Sequence, residues 1–210
     1  IKMDEILITH IENAVIRNDV DLFQNAVQEI SKQTKTTPPK RGEGNDATED
    51  TKFIINVTPF HLAASKGFTK IIKEIIKNEF VPKLNLGSIT SVDSQKRTPL
   101  HHAAMSRNGI NVIPLIISLG ADINAVDTNG QTPAHLALEK GYIDNFKKII
   151  FSEDNDINIE ESGKKKFESA LKNIPNIVDC KGHTIYTLLL KCGAFDTAFK
   201  LHNQGEWAST

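Results

Sequence analysis

Apolar residues along this chain come in short clusters at helical spacing, separated by polar joints marked with glycine or asparagine. Four and five residues beyond such a joint stand Leu22-Phe23, Ile71-Ile72, Val112-Ile113 (counted from Asn108), Asn145-Phe146 and Thr197-Ala198. A second apolar set follows each pair: Ala26-Val27, Ile75-Ile76, Leu115-Ile116-Ile117, Ile149-Ile150-Phe151 and Leu201. Recurrence at three and four residues places both sets on one face of a helix. The pattern thus predicts five helices that each bury one face. Ahead of each joint lies a shorter segment that reads as a partner helix.

The starts of those partner helices carry the clearest signal. Thr132-Pro133-Ala134-His135 opens one, with Asp127 and Asn129-Gly130 before it as a turn and Gly141 as its stop. Threonine can cap free backbone N–H groups, and proline in the first turn loses no hydrogen bond. The string returns as Thr58-Pro59-Phe60-His61-Leu62-Ala63-Ala64 and as Thr98-Pro99-Leu100-His101-His102-Ala103-Ala104. Weaker copies run from Thr9 to Asn18 and from Gly182 to Gly193, the latter keeping Thr184 but lacking Pro and His. In these residues the chain resembles the ankyrin-repeat family, whose unit of about 33 residues carries a Thr-Pro-Leu-His-x-Ala signature. The five threonines are spaced by 49, 40, 34 and 52 residues. The excess over that unit has to sit in insertions after second helices.

The resemblance implies an all-α fold: an ankyrin-repeat solenoid of about five helix-turn-helix units, with short β-turn or hairpin connections and inserted loops. The whole of 1–210 is then one elongated domain, because stacked units bury their apolar faces only against neighbours. The units are placed at 4–30 (a cap), 53–78, 93–120, 127–151 and 179–204, with insertions at 31–52, 79–92 and 152–178. Helices are expected near Glu5–Arg17, Val20–Ile30, 59–66 and 69–77. The insertion at 31–51 holds no large apolar side chain and reads as a mobile loop. Phe80, Val81, Leu84, Leu86 and Ile89 make the next one too apolar to float. Lys96 stands where the family prefers glycine, which questions the tight turn there. Pro114 would break a helix interior, so the helix around it is expected to start late. Lys164 to Lys172 reads as a short extra amphipathic helix. Asp154, Asp156 and Asn158 suggest a calcium loop, but Ile159 and Lys165 occupy the required Gly and Glu places, so calcium is rejected.

Composition removes several classes. A net charge of −1 gives no global field toward nucleic acid or an anionic membrane. No apolar run approaches a membrane span, and two cysteines make no disulfide framework, which fits a reducing, cytoplasmic compartment. Counting gives 21 Lys against 4 Arg, with 26 Ile and 17 Asn. Together with the resemblance, that bias suggests a secreted bacterial effector delivered into a host cell.

His61, His101 and His135 hold one place in three successive copies. The resemblance implies that they are structural hydrogen-bonding residues tied to the turn threonines; a metal site needs convergent ligands. Cys180, His183 and Cys192 have irregular spacing for zinc, and the two cysteines read as free, partly buried thiols. No phosphate loop, nucleophile elbow or carboxylate pair appears. No catalytic residue, metal or cofactor is therefore expected, and the chain is not read as an enzyme. What remains is surface. The resemblance implies a concave partner-binding face, with Ser94, Lys96 and Arg97 at one turn tip and Val126, Thr128, Asn129 and Gln131 at the next. His102, Met105, Arg107, Leu136, Glu139 and Lys140 join from the helices. The expected function is a non-enzymatic, monomeric module that binds another protein and neither nucleic acid nor membrane. The alternative is a substrate-targeting or regulatory arm of a larger enzyme.

Overall fold

Each Thr-Pro pair starts a helix where its chemistry requires. Thr58, Thr98 and Thr132 sit in extended backbone ahead of helices whose first residues are Pro59, Pro99 and Pro133. A capping box closes at each, with histidine taking the place that Glu or Gln holds in the common version.

The computed structural model describes residues 2–34, 57–78, 86–151 and 177–204. Its helices are α1 (Lys2–Arg17), α2 (Val20–Thr34), α3 (Pro59–Lys66), α4 (Thr69–Lys77), α5 (Pro99–Ala104), α6 (Ile113–Ser118), α7 (Pro133–Glu139), α8 (Ile143–Ile150), α9 (Ile185–Lys191) and α10 (Phe195–Gln204). A 3-10 segment, Arg107–Asn111, lies between α5 and α6. Among the described residues there is no strand, and the fold is the all-α solenoid of helix pairs. The odd-numbered helices pack in a row, α1 on α3 on α5 on α7 on α9. The even-numbered ones back them, with α2 on α4 and α6 on α8. Phe23, Ile71, Ile72, Ile75, Ile113, Ile116, Phe146 and Ile149 from the second row are all within 1% of complete burial, as their helical spacing required.

Histidine ties one unit to the next. His61 Nδ1 faces the Thr58 backbone N–H at 3.2 Å and its hydroxyl at 2.9 Å. A backbone N–H can only donate, so Nδ1 is bare and Nε2 carries the hydrogen. That hydrogen is given to the Arg97 carbonyl, 36 residues on, at 3.0 Å. His101 repeats the arrangement, with Thr98 at 3.1 and 2.9 Å and the Gln131 carbonyl at 3.1 Å. His135 keeps its Thr132 half, at 3.4 and 2.8 Å. Its Nε2 faces the Ile177 and His183 carbonyls without completing a hydrogen bond to either. In the last unit Thr187 replaces histidine, and its hydroxyl accepts from the Thr184 N–H at 2.9 Å. All three imidazoles are fully buried.

Several expectations are corrected. The first helix, α1, starts at Lys2, ahead of the expected Glu5, and ends at Arg17 as expected, with Thr9 inside it. Likewise α2 extends to Thr34, past the expected end at Ile30. Asn108 does not end α5 in the left-handed region; among the described residues only Asn18 and Lys96 are non-glycine positions there. Instead α5 stops at Ala104 and the chain tightens into the 3-10 segment. Gly109 explains the tightness, since a Cβ on it would stand 1.8 Å from the Ala103 carbonyl oxygen. The carbonyls freed at the end of α5 are taken by buried Asn145, whose Nδ2 donates to Ala104 at 3.0 Å and Ser106 at 2.7 Å. Pro114 is the second residue of α6, inside the first turn where its missing N–H is no loss.

Leu86 is buried and Ile89 is packed on the core, as that apolar joint predicted. Phe80, Val81 and Leu84, the calcium-like string, the lysine-rich helix and most of the 31–51 loop lie outside the described residues. At the far end, Leu190 is 53% exposed although its counterparts Ala64, Ala104 and Leu138 are buried. Among the described residues no further helix covers it.

Burial holds the imidazoles of His61 and His101 down to about 4, against 6.5 for a free side chain. The folded chain therefore binds these protons less readily than the unfolded one. Stability from the pair is complete above pH 6.5 and is lost as pH falls toward 4, at about 1.4 kcal/mol per unit of separation for each residue. The thermal midpoint measured across pH 7.5 to 3.5 should fall most steeply in that window. His101→Ala should lower stability by roughly 2–4 kcal/mol, because it strands the Thr98 N–H and the Gln131 carbonyl in a buried site. Chemical denaturation would measure it, and a loss under 1 kcal/mol would contradict the linking role.

Candidate partner-binding face

Three turns make one edge of the stack, and each is organised by an aspartate. Asp93 Oδ1 accepts from the N–H groups of Gln95 (2.8 Å) and Arg97 (2.9 Å). Asp127 does the same for Asn129 (2.8 Å) and Gln131 (3.0 Å), and Asp179 for Lys181 (2.9 Å) and His183 (2.7 Å). Short acidic side chains bond their own backbone two residues on, which is why Asp opens such turns. Successive turns then join each other: Thr128 N–H donates to the Gln95 carbonyl and Cys180 N–H to the Asn129 carbonyl, both at 2.9 Å.

The second carboxylate oxygen of each aspartate is also engaged. Arg97 Nε reaches across to Asp127 at 3.3 Å, His102 Nε2 sits 2.9 Å from Asp93, and His183 Nδ1 lies 3.2 Å from Asp179. Burial, the largest influence on Asp93 and Asp179, pushes their carboxyls up, but the donors together outweigh it and hold both below the usual value. Asp93 and Asp179 thus stay charged, and all three carboxylates are fully occupied. They are structural.

The named surface residues divide accordingly. Ser94, Lys96, Thr128 and Asn129 stand exposed on the turns, and Val126 is 46% exposed beside them. Glu139 and Lys140 are exposed at the end of α7, while Arg107 is exposed on the 3-10 segment. Met105 and Arg97 are half-buried, and His102 is half-buried against Asp93 with its ring edge-on to His61 at 5.0 Å. Two expectations are overturned. Leu136 is 2% exposed, because α7 lies between α5 and α9 with α8 behind it, so Pro133 to Leu138 are all shielded. Gln131 is 4% exposed; its side-chain amide is spent on Glu139 at 2.9 Å and Asp179 at 3.5 Å. Neither offers contact surface.

Sequence reasoning also missed residues. Val92 and Val178, 49% and 51% exposed, hold the same place as Val126, one residue before each turn aspartate. Lys66 and Lys191 end α3 and α9 as Lys140 follows α7. Aligning the copies on their aspartates and threonines, rather than reading only the two central units, would have found the two valines and Lys66; Lys191 stands one residue earlier, at the place of Glu139. Cys180 is exposed and Cys192 half-buried, its thiol donating to the Leu138 carbonyl at 3.1 Å; Cys180 is therefore not the partly buried thiol expected. Among the described residues no cluster of His, Cys, Asp or Glu could hold a metal ion, and no helix is long and apolar enough to cross a membrane.

This geometry is that of a known class. A profile of ankyrin repeats matches residues 12–127 and 83–161, in three copies. The chain belongs to the ankyrin-repeat family, a fold used for interaction between proteins rather than for catalysis. It is 32% identical over 161 residues to alpha-latrotoxin-Lg1a of Latrodectus geometricus, covering 76% of this chain and 11% of the toxin. It is 28% identical over 123 residues to the yeast target of rapamycin complex 2 subunit AVO2 (Saccharomyces cerevisiae), covering 59% of this chain and 27% of that subunit. With human Rabankyrin-5 the identity is 31% over 101 residues, or 48% and 8% of the two chains. The chain thus spans a small part of each relative. These relatives are eukaryotic, and they lend no support to the reading as a bacterial effector.

Lys96 occupies, at φ 58°, the turn position that Gly130 and Gly182 take at 70° and 76°. A left-handed backbone costs a non-glycine residue about 1–2 kcal/mol. Lys96→Gly should therefore raise stability by about 0.5–1 kcal/mol after glycine's entropy is deducted. Urea unfolding checks this, and a destabilised variant would show that the lysine side chain is doing structural work.

Proposed function

We propose that the chain is a protein-recognition module that holds its partner across the turn-side face, from the tips at Ser94 and Thr128 to the helix ends at Met105, Arg107 and Lys140. One observation carries this reading. The polar groups of a type suited to chemistry, His61, His101, His135, Asp93, Asp127 and Asp179, are buried and committed to caps, turns and joints. What faces solvent along the joined turns is a mixed apolar and charged strip of the composition that partner interfaces use. Family membership supports the same reading. Its working form is a monomer in a reducing, cytoplasmic compartment, which the two free thiols favour.

A second reading keeps this surface and makes it the targeting or regulatory arm of a larger protein, an enzyme included. What favours it is that the matching segments of the relatives occupy 8–27% of their chains. The complete reading frame at the source locus separates the two readings.

The combined change Met105→Ala, Arg107→Ala and Val126→Ser should reduce partner capture from native lysate at least tenfold, the equivalent of about 1.4 kcal/mol. Its thermal midpoint should stay within about 2 °C of the parent, since none of the three is a core residue. Undiminished capture would place the binding site elsewhere.

A further inference from the structure

The carboxylates and cations of the turn-side face are unequally free. Asp93, Asp127 and Asp179 are buried, each with both oxygens engaged. Glu139 is exposed, but Lys181 Nζ holds it at 3.2 Å and the Gln131 amide at 2.9 Å. The cations differ. Lys66, Lys140 and Lys191 are exposed at the ends of three inner helices, and none has a carboxylate within ion-pair distance among the described residues. Lys191 Nζ makes a hydrogen bond to His183 Nε2 at 2.6 Å, which orients the ammonium and leaves its charge uncompensated. The turns also carry a valine row. Val92, Val126 and Val178 are about half exposed, each one residue before a buried aspartate. The backbone bonds between neighbouring turns fix their register. Singly exposed valines are ordinary; three at one repeated place make a built apolar line.

Resting on the protein-recognition reading above, we infer that the partner offers this face an extended acidic segment with interspersed apolar side chains, its carboxylates meeting Lys66, Lys140 and Lys191 and its apolar groups the valine row. Charge complementarity steers such a segment to the face, and the apolar line gives it register. Single-stranded nucleic acid also answers to lysine, but it stacks on exposed aromatics, and the row here is aliphatic; a duplex would ignore the valines and is a control in the test. Lysines at helix C-termini complement the macrodipole as well. That role predicts a change in stability and none in binding, so one variant separates the two.

The experiment uses fluorescence anisotropy on the full chain with three labelled peptides of about twelve residues: alternating Glu and Val, alternating Glu and Ser, and alternating Lys and Val. The Glu-Val peptide should bind and weaken as salt is raised. The Glu-Ser peptide should bind at least about fivefold more weakly, and the Lys-Val peptide should not bind. The double variant Lys140→Glu, Lys191→Glu should lose about tenfold or more in affinity for the Glu-Val peptide with its thermal midpoint nearly unchanged. Binding of the Lys-Val peptide as tight as that of Glu-Val would overturn the inference. So would indifference to the double variant, or tighter binding of a DNA duplex than of any peptide. If the Met105, Arg107 and Val126 variant abolishes capture of a lysate partner while the Glu-Val peptide never binds, recognition through this face stands and its acidic specificity falls.

Discussion

The structure depends on a neutral imidazole hydrogen-bonded at both nitrogens between two units. Nδ1 of His61 closes the cap of its own helix, and Nε2 reaches the backbone of the next unit at Arg97. Because a threonine N–H can only donate, the tautomer is forced, and with it the direction of the second bond. Burial removes the protonated alternative. His101 propagates the arrangement, and the carbonyl it reaches, on Gln131, belongs to the residue just before the next capping threonine. Cap formation in one unit and docking on its neighbour are thus one event, which is how a stack of short helices becomes cooperative. At the last joint the chain departs from this. His135 Nε2 lacks a completed bond, and the following unit has Thr187 where a histidine would continue the series.

Much of this was legible in the sequence, and the reasons are local. Thr58-Pro59, Thr98-Pro99 and Thr132-Pro133 specify helix starts through backbone chemistry alone, and the observed bounds of α3 and α4 agree with those read from periodicity. Pro114 could be placed in a first turn because the alternative was too costly. Failures came where distant contacts decide. Nothing near Gly109 announces that its lack of a side chain lets the chain press against Ala103 and shorten α5. Thr9 matched the repeating frame by letter, yet His10 stands where the proline belongs and Glu12 where the histidine belongs, and α1 passes through it unbroken.

The face was half legible for the same reason. Turn tips are exposed by construction, so Ser94, Thr128 and Asn129 could be named from the frame. Leu136 could not, because its burial depends on α5, α8 and α9 meeting around α7. Gln131 was lost to partners eight and 48 residues away. The division between consumed and free groups is what gives the face its character. Aspartates shape the turns and are thereby neutralised as recognition elements, while lysines at the helix ends and valines before the aspartates remain available. Such a surface suits interaction with another protein, in keeping with membership of the ankyrin-repeat family.

The most direct measurement is a nitrogen-15 NMR titration of the histidine side chains. At pH 7 and again at pH 5, His61 and His101 should show a protonated Nε2 and a bare Nδ1, with no conversion to the doubly protonated ring until the chain begins to unfold. If either imidazole titrates freely near pH 6.5 in the folded chain, or carries its hydrogen on Nδ1, the histidines do not join the units and the account of how this stack is held together is wrong.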